Sequence, residues 1–74
     1  MNKERRKKLS KVIDKLAEIK EMLEEVKDEE EEAFDNLPDG LQYSEKGQTM
    51  EGYIEMIEEA VGHIDDAESV IEEI

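Results

Sequence analysis

Few residues of this chain have the chemistry of a site, and their spacing argues against each. The segment "DNLPDG", Asp35 to Gly40, has the outline of a calcium loop. Such a loop takes oxygen ligands from positions 1, 3 and 5, a glycine at 6 and a Glu at 12. Counted from Asp35, Asp39 and Gly40 fit, but Leu37 and Lys46 stand where ligands are needed. The segment reads as a turn. A di-metal carboxylate site inside a helix bundle needs inward Glu residues and Glu-x-x-His pairs. His63 is the only histidine, and Ala60 occupies the matching position. No metal and no other cofactor is expected.

Hydrolytic chemistry fares no better. There is no Cys, and Ser10, Ser44 and Ser69 are scattered along the chain. A nucleophile, a base and an orienting group must lie within hydrogen-bond reach in a cleft. These residues cannot be gathered that way, so the chain is not expected to be an enzyme. The run "KERRKKLSK", Lys3 to Lys11, is the footprint of a nucleic-acid contact. No aromatic residue accompanies it, and a paired acidic helix accounts for it equally well. Direct nucleic-acid binding is not expected.

The elements that must carry these residues are two helices. From Leu9 onward apolar residues recur in alternating steps of three and four, the spacing of a coiled-coil seam. Leu9, Leu16, Leu23 and Leu37 form one row, with Glu30 in its gap; Val12, Ile19, Val26 and Ala33 form the second. After "PDG" the pattern resumes, with Met50, Ile57, Ile64 and Ile71 in one row and Tyr53, Ala60, Ala67 and Ile74 in the other. Pro38 cannot continue a helix, and it pushes Leu37 toward extended backbone. Ser44 is the expected N-cap of the second helix, with Thr49 as its competitor. The reading is a single domain, 1–74: a first helix over about 3–36, a hinge over 37–43 and a second helix over about 44–73. Phe34 and Leu37 are expected to close the hinge end.

An antiparallel fold pairs the first row of one helix with the second row of the other. Aligning Leu9 with Ile74 then sets Val12 against Ile71, Leu16 against Ala67 and Ile19 against Ile64. It also sets Leu23 against Ala60, Val26 against Ile57, Ala33 against Met50, and Glu30 against the hydroxyl of Tyr53. Large meets small in several of these, as interdigitation prefers. Ile13, Phe34, Ile54 and Val61 are left on one flank of the seam, and Met22, Met56, His63 and Val70 on the other. Stripes this wide suit a four-helix bundle. A homodimer is therefore expected, with Ile13, Phe34, Ile54 and Val61 as the candidate dimer interface.

Charge separates the halves. Of 74 residues, 45% are charged and the net charge is −13. Residues 1–27 hold 9 basic and 6 acidic side chains, whereas residues 28–74 hold 1 basic and 17 acidic. Folding back lays the basic start beside "DDAESVIEEI" and leaves the hinge half most negative. Glu24, Glu25, Glu31, Glu32, Glu51, Glu58 and Glu59 fall on outer rows there and are the candidate partner-binding residues. A basic, nucleic-acid-handling protein is the partner such a surface would steer. No apolar run approaches the ~20 residues of a membrane span, and no signal-type apolar segment follows the N-terminus. A soluble cytoplasmic protein is expected.

The stretch "EEEEAFDNLPDGLQYSEKGQTMEGYIEMIEEA" resembles a group of short acidic helical-hairpin proteins from phages and prophage-bearing bacteria, with a similar "FDNLP" hinge. The resemblance runs from about Lys20 to Ile74. It implies the same hairpin and a phage context, and it carries over no activity and no functional residue. The function expected is thus a non-catalytic protein-interaction module, in its sharper form a phage-type acidic regulator or inhibitor. The alternative is a structural or assembly protein whose role is oligomerisation only.

Overall fold

A computed structural model describes all residues, 1–74. It is all-helical, with two long helices packed against each other in a hairpin and one short helix at the bend. The first helix, α1, spans Lys3–Asp35. Its run of Lys, Glu, Leu and Met has good helix propensity throughout. Asn2 caps it: its backbone is extended, and its side chain accepts a hydrogen bond from the Arg5 amide at 2.9 Å.

Pro38 ends α1 as expected, but "PDG" is not a simple tight turn. Pro38 stands before α2, a single turn of helix over Asp39–Gln42. Its carbonyl accepts from the Leu41 and Gln42 amides at 2.8 and 3.2 Å. Asp39 lies in that first turn, where the helix dipole favours a carboxylate. No glycine has positive φ, so Gly40 is not called on for a left-handed turn. The Gln42 amide reaches back to the carbonyls of Phe34, Asp35 and Leu37 at 3.3–3.5 Å. At that length these are shared, weak bonds; the Phe34 carbonyl also accepts from the Leu37 amide at 3.0 Å, and the Gln42 side chain adds to the capping of the end of α1.

The third helix, α3, spans Glu45–Glu72. Ser44 is its N-cap: the hydroxyl accepts from the Gly47 amide at 3.4 Å and donates to the Leu41 carbonyl. Thr49, the competing cap, lies one turn inside α3 and donates to the Glu45 carbonyl at 2.9 Å. Gly47 is the only buried residue of the chain. A Cβ built there would stand 2.2 Å from the Gln42 carbonyl oxygen, so only glycine lets the end of α2 sit this close to α3.

The packing between α1 and α3 differs from the expected register by a rotation. Leu9, Leu16, Leu23 and Glu30 are half-buried, as are Met50, Ile57, Ile64 and Ile71, so the first rows are where they were placed. The second rows are not. Val12, Ile19, Val26, Tyr53 and Ile74 are all exposed, and so are Ala33 and Ala67. The half-buried positions are instead Ile13, Lys20, Lys27 and Phe34 in α1, and Ile54, Val61 and Glu68 in α3, with buried Gly47 on the same row. Each is one residue further along, which turns each helix by about 50° about its axis. Of the expected second rows only Ala60 stays half-buried.

Two causes favour the rotated seam. It covers Phe34, Ile54 and Val61, where the expected rows would have covered Ala33, Tyr53 and Ala60. It also uses Lys20 and Lys27, whose stems lie along the seam while their ammonium groups reach carboxylates of α3. Lys20 Nζ is 2.7 Å from both Asp65 Oδ1 and Glu68 Oε1, and Lys27 Nζ is 3.9 Å from Glu58 Oε1. These pairs run antiparallel and pin the alignment. The expected Glu30–Tyr53 pair is not made, because Tyr53 has turned outward.

Candidate functional site

The rotated seam gives the hairpin two unlike faces. In each long helix, one residue step back from the second half-buried row lies to one side of the seam. One step forward from the first row lies to the other. Two antiparallel helices are related by a two-fold axis normal to the hairpin, so equivalent rows emerge on the same face.

On one face stand the rows that the rotation exposed. Val12, Ile19 and Val26 of α1 line up with Tyr53, Ala60 and Ala67 of α3. Met22, Met56, His63 and Val70 border them. The large apolar members of this set are 42–65% exposed. Monomeric proteins rarely show so long a run of apolar side chains to water. His63 lies among them, open to solvent and 3.5 Å from Glu59 Oε1.

The other face is acidic. Glu24 and Glu31 of α1 lie across from Glu51, Glu58, Asp65 and Glu72 of α3, with Glu25, Glu32, Glu59 and Asp66 on the rows behind. The candidate partner-binding residues Glu24, Glu25, Glu32, Glu51, Glu58 and Glu59 are exposed, and Glu31 is half-buried. Lys27 Nζ lies 3.9 Å from Glu58 Oε1. Further toward the chain ends Lys20 is held by Asp65 and Glu68. Its hydrogen bond to Asp65, then that to Glu68, keeps its ammonium protonated well above the ordinary lysine range.

The candidate dimer interface is placed differently from the expectation. Ile13, Phe34, Ile54 and Val61 are half-buried within the single hairpin, on its seam rows. They are not an outer flank. The apolar surface left open is the opposite set, headed by Val12, Ile19, Val26 and Tyr53. Sequence reasoning missed this because both sets keep a seven-residue repeat, and the choice between them depends on Lys20 and Lys27.

The basic start of α1 is less neutralised than expected. Arg6 donates from Nη1 to the Ile74 carbonyl at 2.9 Å, which ties the chain ends together. Lys3, Arg5, Lys7, Lys8, Lys11 and Lys15 form no ion pair. Beside Arg6 lies an open groove of about 340 Å³, floored by Leu9, Ile13, Ile71 and Ile74. Its polar rim is Arg6, Ser10, Asp14 and Glu72. No group of three or more His, Asp or Glu side chains is placed to hold a metal ion. Ser44 is engaged as a cap, while Ser10 and Ser69 lie apart on different helices. No helix is long and apolar enough to cross a membrane. Comparison with known proteins found no matching family model, curated protein or solved structure.

Proposed function

We propose that this chain is a non-catalytic protein-interaction module that self-associates into a four-helix bundle and offers its acidic face to a basic partner. The observation that carries the reading is the opposition of the two faces. Apolar side chains run along one, and Glu24, Glu31, Glu51, Glu58 and their neighbours run along the other. A module that used only one surface would have no reason to segregate its exposed residues so completely.

Under this reading the partner is a basic, nucleic-acid-handling protein in the cytoplasm. The carboxylate rows imitate the regular charge of a phosphate backbone, and the hairpin acts as a regulator or inhibitor of the phage type that its hinge resembles. The field of the acidic rows steers association, so the on-rate falls as salt rises. The test is charge reversal. Changing Glu24, Glu25, Glu31 and Glu32 together to Lys should abolish binding to a partner captured from host lysate while circular dichroism stays helical. The parent should also compete with DNA or RNA for that partner. A folded mutant that still binds equally well would remove acidic mimicry from consideration.

The exposed apolar face favours a second reading, a structural protein whose task is oligomerisation alone. The same mutant separates the two. In the assembly reading, charge reversal leaves the native mass of the particle unchanged and no basic partner is found.

A further inference from the structure

We propose that two copies pack apolar face to apolar face with their hinges at opposite ends, each α1 lying antiparallel along the α1 of the other copy. This deepens the self-association stated above and rests on it.

The single hairpin is short of buried surface. No apolar side chain in it is fully buried. Its accessible surface is 5795 Å² for 8.6 kDa. A compact monomer of this mass exposes about 4,700 Å², so the excess is about 1,100 Å². A standard protein–protein interface takes about 800 Å² from each partner, so one such contact absorbs most of that excess. The Cα trace measures 58 × 15 × 11 Å. A rod exposes more surface than a sphere, and a second rod laid alongside is the direct way to cover it. The open apolar face, from Val12 to Val26 and Tyr53 to Val70, runs about half of that length.

Charge then selects the orientation. Residues 21–58, the hinge half, hold fourteen acidic side chains against only Lys27 and Lys46. The remaining residues hold nine acidic and eight basic. Hinges at the same end would stack one strongly negative half on the other. Hinges at opposite ends place each negative half over the unpaired Lys and Arg residues at the start of the other α1. Like charges within a Debye length repel and unlike charges attract, and the effect is largest at low salt.

The rows themselves fit this arrangement. Val12 and Val26 lie seven residues to either side of Ile19. With Ile19 on the two-fold axis, Val12 of one copy meets Val26 of the other, and Lys8 lies beside Glu29. In α3, Ala60 exchanges with Ala67 in the same manner, about a centre between His63 and Ile64. The Lys20–Asp65 pair at 2.7 Å brings the two centres within one helical turn of each other across the hairpin. One two-fold axis therefore serves both helices, as a closed dimer requires.

The test is a distance. The chain has no Cys, and a side chain added at Gly40 meets nothing within 4 Å. Gly40→Cys can thus carry a spin label at the hinge tip. Light scattering should report twice the 8.6 kDa chain mass, and pulsed electron resonance a label separation close to the 58 Å rod length. A dimeric mass with a separation under about 20 Å, two helix diameters, would overturn the orientation and leave self-association standing. The mass of a single chain would overturn both. Ile19→Glu checks the face: it sets two carboxylates on the axis and should return the particle to one chain without loss of helicity. An unchanged dimer would overturn the assignment of that face.

Discussion

Gly47→Ala should destabilise the hairpin, although glycine-to-alanine changes inside helices ordinarily do the opposite. Alanine gains up to about 1 kcal/mol over glycine in a helix interior. Gly47 lies in the first turn of α3, where that gain is smaller. Against it stands the added methyl group, 2.2 Å from the Gln42 carbonyl oxygen, 2.6 Å from its carbon and 2.7 Å from the Leu41 carbonyl oxygen. All three atoms are backbone, so no side chain can swing aside. Either α2 lifts from α3, breaking the Ser44 cap and the reach of Gln42 to the end of α1, or α3 starts later.

Overpacking of this kind costs about 1–3 kcal/mol, and immovable neighbours place it toward the upper end. The net loss is then about 1–2 kcal/mol, or roughly 5–15 °C in melting temperature for a domain of this size. Gly52→Ala and Gly62→Ala are the internal controls, because a side chain at either meets nothing within 4 Å. Both should melt higher than the parent. Thermal unfolding followed at 222 nm, at one fixed protein concentration, reads all three. If Gly47→Ala melts as high as the two controls, α2 does not bear on α3 and the account of the hinge is wrong.

Leu23→Ala should cost about 2 kcal/mol, the low end of the range for a Leu in a core, because Leu23 is half-buried; no change in melting would place it outside the seam. Lys20→Gln should lower the melting temperature and reduce its sensitivity to salt, since it removes both cross-helix ion pairs. The pH sign follows from a raised lysine: the contribution is fully present below the ordinary value of 10.5 and is lost as pH climbs beyond it. The deficit of Lys20→Gln should therefore stay constant from pH 7 to 9 and shrink only in strong alkali. A deficit that vanishes by pH 9 would refute the pairing.

Much of the fold was legible because it rests on local chemistry. Pro38, Ser44 and the return of the apolar rows after the hinge fix two helices and a bend, whatever the tertiary detail. The short α2 was not legible. "PDG" satisfies a turn and a single helical turn equally well, and the choice rests on how closely Gly47 allows Gln42 to approach. The exposure of Glu24, Glu25, Glu32, Glu51, Glu58 and Glu59 follows from their places off the seam rows, whereas Glu31, beside Glu30, is half-buried. The open apolar flank was not legible, for a reason of geometry. Both helices carry apolar residues on three adjacent rows, and two rows suffice for one seam.

That surplus row bears on function more than the misplaced phase does. Val12, Ile19 and Val26 keep a seven-residue repeat in α1, and Tyr53, Ala60 and Ala67 keep the same repeat in α3, yet the hairpin leaves nearly all of them open. Folding one hairpin gives no reason for such a repeat. The hairpin itself accepts Lys20, Lys27, Glu30 and Glu68 on its inner rows, so its own seam is the more polar of the two. A sequence whose local choices agree with its native contacts would not reserve the more apolar row for water. Under the proposed self-association that row is also a seam, made with another chain. The charged inner rows then have their own role: by setting the alignment of α1 on α3, Lys20 and Lys27 bring the two outer rows level and keep the apolar face in one plane. Lys20→Gln should accordingly weaken self-association as well as melting, although Lys20 does not lie on the face. If light scattering finds the Lys20→Gln dimer dissociating at the same concentration as the parent, the inner ion pairs do not shape the outer face, and the two seams are independent.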